Sequence, residues 1–191
     1  MGSFNKIREE NKMKRPQESL NDIMRRVAAF SVKERVFLVG VRGYYRRTMG
    51  DPAGNDRGIY DDAIFLVTPK GIIAFNANTD PAIFRRGMAS LAPGLHYYIK
   101  GKHGLSRPGG GYPALRPATA DESLPVTRDG KTGPLKAIAI NIHRGGYNTT
   151  GSEGCQTIYP GQWIEFISSV YNAMDKAGQK RIPYILVENA E

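Results

Sequence analysis

The apolar residues of this chain come in short runs, and that spacing limits what it can fold into. Residues 35–41, 63–67, 72–75, 95–100, 135–142 and 182–187 each have the length of a strand and lie between turn-forming, polar or charged residues. The second and third runs are joined through Thr68-Pro69-Lys70-Gly71, which predicts a hairpin. Helical spacing occurs in two places. One begins at Pro16 and lines up Leu20, Ile23, Met24, Val27 and Phe30; the other opens at Pro160-Gly161-Gln162 and lines up Trp163, Phe166, Ile167, Val170, Tyr171 and Met174, ending near Gly178. A chain with 22 glycines, 12 prolines and 40% hydrophobic residues is loop-rich and strand-rich rather than a helical bundle. The expected fold is a β-rich α+β protein: residues 1–31 form a basic N-terminal arm and helix, and residues 32–191 form one domain. That domain is expected to be a strand sandwich with a helix before it and one after it. Residues 105–134 read as a loop, and the last run as a closing strand whose Pro183 suits a sheet edge.

Chemistry concentrates where the 135–142 run ends. His143 stands at that strand end, and Cys155, the one cysteine of the chain, follows twelve positions later across a glycine-rich loop. A thiol needs a base to take its proton, and an imidazole within hydrogen-bond reach is the usual one. A carbonyl under attack develops an oxyanion, which backbone N–H groups around a glycine can hold; Ser152-Glu153-Gly154-Cys155 supplies such a turn. Taken singly, a lone cysteine is a small buried hydrophobe and a strand-end histidine only bonds a carbonyl. Together they point to nucleophilic catalysis.

These residues carry a family resemblance. Ile142-His143-Arg144-Gly145 and Ser152-Glu153-Gly154-Cys155 resemble the two halves of the L,D-transpeptidase signature, a strand-end His-Gly followed after a loop by Ser-x-Gly-Cys. Pro93-Gly94-Leu95-His96-Tyr97-Tyr98-Ile99 is similar to an upstream strand of that family, so the likeness spans roughly residues 60–160. The loop here is short, Glu153 stands where the family usually has histidine, and Gln156-Thr157 replaces an aliphatic residue followed by Arg or Asn. This form is closest to the toxin-like branch of antibacterial effectors. The resemblance implies an enzyme acting on peptidoglycan stem peptides in the cell wall, as L,D-carboxypeptidase, L,D-transpeptidase or D-amino-acid exchanger. Cys155 would attack as nucleophile and His143 serve as base. Ser152 would shape the turn and bond His143 or substrate, and the N–H groups of Gly154 and Cys155 would hold the oxyanion. Arg144, Gly145, Glu153, Gln156, His103 and Asp62 would line the substrate site, Arg144 meeting a carboxylate and Asp62 an ammonium. Residues 105–134 would wall the cleft.

Other classes fare less well. One cysteine excludes an intramolecular disulfide and a cysteine-based zinc site, and His96 and His103 have no acidic partner nearby, so no metal or organic cofactor is expected. Asp51, Asn55, Asp56, Asp61 and Asp62 lack the spacing of a helix–loop–helix calcium site. Gly109-Gly110-Gly111 has no Gly-Lys-Ser/Thr ending, which excludes a P-loop. No apolar run is long enough for a transmembrane helix, and the N-terminus lacks the apolar segment of a signal peptide. The expected route is synthesis in the cytoplasm and action in the periplasm after delivery by a secretion system or phage lysis, with a secretion carrier or immunity protein as partner. The net charge of +9 is uneven: residues 1–47 hold twelve Lys and Arg against five Asp and Glu, net +7. A solvated arm is the plainer reading of that charge, and nucleic acid is not an expected partner. The competing class is a non-catalytic module that binds wall polymer or a partner through this basic end. Ordinary papain-like proteases and amidases place cysteine before histidine, the reverse of the order here.

Overall fold

The computed structural model describes residues 13–45, 57–106 and 108–189. Residues 1–12 of the expected N-terminal arm, and Asp51, Asn55 and Asp56, lie outside the described residues. Eleven strands are described: β1 (Phe37–Arg42), β2 (Asp62–Thr68), β3 (Gly71–Asn78), β4 (Ala89–Leu91), β5 (Gly94–His103), β6 (Tyr112–Pro117), β7 (Ser123–Arg128), β8 (Lys131–Ile138), β9 (Ile142–Arg144), β10 (Gln156–Ile158) and β11 (Arg181–Glu188). Helix α1 covers Leu20–Arg26 and α2 covers Trp163–Lys176. The chain is thus α+β and β-rich. The sandwich expectation is revised in form: one mixed sheet closes on itself in the order β1-β11-β5-β6-β9-β10-β3-β2, and β4-β7-β8 make a separate small sheet.

Burial explains the legible strands. All six residues of β1 are buried. Leu38 on β1 joins Ile64, Leu66, Phe75, Tyr98, Leu115 and Ile142 in a cluster that α2 enters with Trp163, Phe166, Ile167, Val170 and Met174. Phe37, Val39 and Val41 face the other way, onto Ile23 and Val27 at the N-terminal helix. A strand covered on both faces reads as a continuous apolar run, because neither side needs polar residues. Each fully buried Leu, Ile or Phe contributes about 1.5–3 kcal/mol of transfer free energy. The 2–3 hairpin turns at Pro69-Lys70, in register Thr68↔Gly71.

Four expectations change. α1 is only seven residues long, capped by Ser19 Oγ accepting from the Asp22 N–H, and it buries Ile23 while Leu20 and Met24 stay exposed. The 105–134 stretch holds β6, β7 and the start of β8; β8 is mostly exposed, so burial imposed no apolar pattern there. The 135–142 run is broken: β8 ends at Ile138, Ala139 adopts φ 55°, and β9 begins at Ile142 in the other sheet. Finally, β11 is an interior strand between β1 and β5. Pro183 is accommodated because the ladder to β1 begins one residue later, at Leu38↔Tyr184.

Candidate active site

Two short parallel strands bring the reactive residues together. β9 and β10 pair in register Ile142↔Gln156 and His143↔Thr157, and the Gln156 N–H donates to the Asn141 carbonyl at 2.9 Å. Cys155 directly precedes β10, so its side chain emerges beside His143 although twelve positions separate them. One ring nitrogen of His103, one of His143 and the Cys155 sulfur lie within 4.8 Å of one another.

Each imidazole has a fixed setting. His143 is buried, and its Nδ1 donates to the Arg144 carbonyl at 2.8 Å, which leaves the lone pair on Nε2. The Tyr112 hydroxyl from β6 lies 3.2 Å from the same Nδ1 and donates to the same carbonyl at 3.3 Å. His103, at the end of β5, stacks on His143 with ring centroids 3.8 Å apart and planes 11° apart. Its Nδ1 accepts from Asn141 Nδ2 at 3.1 Å. This is not the geometry of a formed metal centre. The lone pairs of near-parallel rings run side by side instead of converging on one ion, so a tetrahedral site would require one ring to turn.

The thiol sits on a stiff turn. Ser152 Oγ donates to the Cys155 carbonyl at 2.6 Å and accepts from the Gly154 N–H at 3.0 Å. Gly154 has φ 136°, and a Cβ there would meet the Ala89 carbonyl oxygen at 2.6 Å. Cys155 Sγ donates to the Ala139 carbonyl at 3.5 Å, so the kink that interrupts the 135–142 run faces the sulfur. Burial pushes the Cys155 thiol up to about 11; Glu153 adds to the rise, while an Asn141 backbone group and the Arg116 guanidinium oppose it. At rest the sulfur is therefore a protonated thiol.

Behind the turn lies a buried polar network. Gln156 Nε2 donates to the Thr79 and Gly154 carbonyls, each at 3.3 Å, and Tyr184 donates to Gln156 Oε1 at 3.0 Å. Arg42 donates to the Thr79 hydroxyl at 3.0 Å and to the Thr79 and Leu91 carbonyls at 2.9 and 3.0 Å, and it pairs with Asp80 at 3.2 Å. Asp62 accepts from the Gly43 N–H and from the Thr79 N–H and hydroxyl. Its burial and the nearby Asp80 raise it to about 7.

These positions correct several substrate-site expectations. Asp62 and Gln156 are wholly buried and bonded inward, so they support the turn and meet no ammonium or peptide at the surface. Gly145 is a packing glycine, since a Cβ would collide with the Tyr60 hydroxyl. Ser152 bonds its own turn and not His143, and the Gly154 N–H is committed to Ser152. Arg144 stays exposed with its guanidinium 5.5 Å from the centre of the Tyr112 ring, and Glu153 stays exposed 3.6 Å from Arg85. His103, also expected at the substrate site, stands at the centre of the cluster. His96 is a fold residue, bonded to the Ala92 carbonyl at 2.8 Å.

Tyr112, Asn141 and the Ala139 carbonyl were not predicted as site groups. For Tyr112 the only sequence signal was its position directly after three glycines, which marks a turn without saying what the next side chain meets. No described helix is long and apolar enough to cross a membrane. No family model, curated protein or solved structure matches the chain.

Proposed function

We propose that this protein is a cysteine-dependent enzyme of peptidoglycan stem peptides, with Cys155 as nucleophile and His143 as base. The observation that carries the proposal is the His143 setting: Nδ1 is tied to the Arg144 carbonyl, so Nε2 is the basic atom, and a nitrogen of this ring lies within 4.8 Å of the Cys155 sulfur. Because burial keeps the thiol protonated, proton transfer to His143 accompanies attack rather than preceding it. Sulfur adds to the carbonyl of the residue at position three of the stem, the Cys155 N–H steadies the oxyanion, and His143 returns the proton to the departing D-alanine amine. Water then resolves the thioester to a carboxylate, or an amine acceptor resolves it to a new amide. Arg144 and Arg85 flank the thiol turn with positive charge suited to stem-peptide carboxylates. The wall substrate rests on the resemblance of the two motifs.

The test is mass spectrometry of muropeptides after digestion of sacculi and of soluble fragments, with wild type and Cys155→Ala. Conversion of tetrapeptides to tripeptides, abolished in the variant, is the expected result; new cross-links or exchanged D-amino acids would mark transfer. Unchanged muropeptides with both proteins would overturn the reading. One observation favours a second reading, a non-catalytic binding module with a structural cysteine: the thiol raised to about 11 is what an inert buried cysteine shows. Alkylation separates the two. In an enzyme, His143→Ala slows thiol alkylation near neutral pH, and in a binding module it does not.

A further inference from the structure

We propose that a groove between the β2–β3 hairpin and α2 binds a single-chain aliphatic carboxylate. The groove is separate from the reactive cluster. β3 joins β10, just after Cys155, through Asn78↔Thr157, whereas the groove lies at the opposite end of β3, around Gly71-Ile72-Ile73. The inference is therefore independent of the activity proposed for Cys155. The groove has a volume of about 490 Å³, within the range of about 300–1,000 Å³ that small-molecule sites occupy. Its walls are apolar: Val36 and Leu66 belong to the main core, and Ile73 and Ala173 pack against it. The sequence of α2 leaves the gap open. Residues 169, 172, 173 and 176 follow the i, i+3, i+4, i+7 spacing of one helix face, and there they are Ser, Asn, Ala and Lys. None places a large apolar side chain over Leu66 and Ile73.

One end of the groove is cationic. The pairing Phe37↔Val67 sets residue 35 near the hairpin turn, and the Val36 N–H donates to Gln179 Oε1 at 3.0 Å, which brings the end of α2 beside β1. Arg35, Lys70 and Lys176 therefore gather at that end, all three exposed. Among the described residues no Asp or Glu lines the groove. The acids closest in sequence are engaged elsewhere: Glu34 with Arg181 at 3.9 Å, Asp175 with Lys100 at 2.5 Å, and Glu165 with Arg15. Nor does the carbonyl end of α2 offset the three cations. The N–H groups of Ala177, Gly178 and Gln179 take the Ala173, Asp175 and Met174 carbonyls. An apolar trough ending in cations matches an aliphatic chain ending in a carboxylate. The walls remove the chain from water, the Arg35 fork suits both carboxylate oxygens, and the lysines add point charges. A bilayer surface is too broad to enter a groove, so the free amphiphile is the occupant.

The experiment titrates the full chain with decanoate below its micelle range and follows backbone amide shifts by NMR. Decyltrimethylammonium, with the same chain and the opposite charge, is the control. The variants are Lys70→Glu, Lys176→Glu and Ala173→Leu, each confirmed folded by circular dichroism. The expected result is saturable shifts centred on residues 68–73 and 169–177, with a Kd on the order of 0.1–1 mM. Decyltrimethylammonium should bind at least about tenfold more weakly, since its head meets three like charges. Each lysine reversal should weaken decanoate by about threefold to tenfold, and Ala173→Leu, which fills the trough, by at least about tenfold. Shifts that do not saturate or that centre elsewhere, or reversals that leave the Kd unchanged, would overturn the inference. Binding to phosphatidylglycerol vesicles without a response to monomeric decanoate would make this face a membrane contact. The same shifts on raising protein concentration without ligand would make a second copy the occupant. Either result would also overturn it.

Discussion

The main barrel and the small β4-β7-β8 sheet make opposite use of their residues. In the barrel, β1 and β2 are covered on both faces, by the α2-lined core and by the cluster around Ile23 and Val27. In the small sheet, β8 exposes most of its length, including Ile138 at 72%. Yet the small sheet supplies what the reactive turn leans on: the Ala89 carbonyl against Gly154, and the Ala139 kink that follows β8 and accepts from the thiol. The two parts divide the work differently: barrel strands carry the reactive side chains and most of the core, while the small sheet and the kink after β8 supply backbone carbonyls that shape the turn of the nucleophile.

The largest contrast should come from truncation. Phe166→Ala empties the centre of the barrel core, where Phe166 packs edge-on against Phe75 at 5.1 Å, and should cost about 3–5 kcal/mol in urea unfolding. Leu135→Ala on β8, only partly buried, should cost about 1 kcal/mol or less. Equal losses would mean that the small sheet is as much a part of the core as the barrel.

Next come two glycines with positive φ. Gly154→Ala combines left-handed strain with a backbone oxygen 2.6 Å from the new Cβ, and should cost about 2–4 kcal/mol while also shifting the thiol. Gly133→Ala on β8, with φ 94° and nothing within 4 Å, should cost only the strain, about 1–2 kcal/mol, and leave Cys155 alkylation unchanged. Ser152→Ala removes a hydroxyl that serves both a carbonyl and an N–H in a buried turn. Its expected cost is about 1–3 kcal/mol, with slower alkylation.

The smallest effect concerns pH. The Cys155 thiol is raised in the folded protein, to about 11, so folding favours its neutral form. That stability is fully present below the unfolded thiol range and is lost as pH rises from about 9 toward 11. Cys155→Ser should therefore lose less stability than wild type over that window, by about 1–2 kcal/mol for a thiol at the solvent edge. Parallel urea midpoints for the two proteins between pH 8 and 11 would mean that folding does not raise the thiol.

Much of the barrel was legible because burial writes a pattern into the chain. The runs at 35–41, 63–67, 72–75 and 182–187 are apolar since β1, β2, β3 and β11 have protein on at least one face, and the α2 stripe is apolar because it enters the core. The strands β6, β7 and β8 were not legible, since partial exposure and prolines at 113, 117, 125 and 134 erase alternation. At the candidate site, His143, Cys155 and the glycine turn were visible as residue types at a spacing. Tyr112, Asn141 and the stacked placement of His103 were not, because they arrive from β5, β6 and the link before β9, joined only by closure of the sheet.

The sequence by itself determined which segments seek burial, where the chain must turn, and that one thiol and one imidazole share a glycine-rich loop. These are local properties, set by side-chain polarity and backbone freedom within a few residues. Only the tertiary structure decided that the sheet closes, that the 135–142 run splits between two sheets, and that Asp62 and Gln156 face inward. It also decided that a second histidine from forty positions upstream lies flat against the first. Those outcomes depend on which strands become neighbours, and strand pairing is a long-range choice that no local window of residues contains.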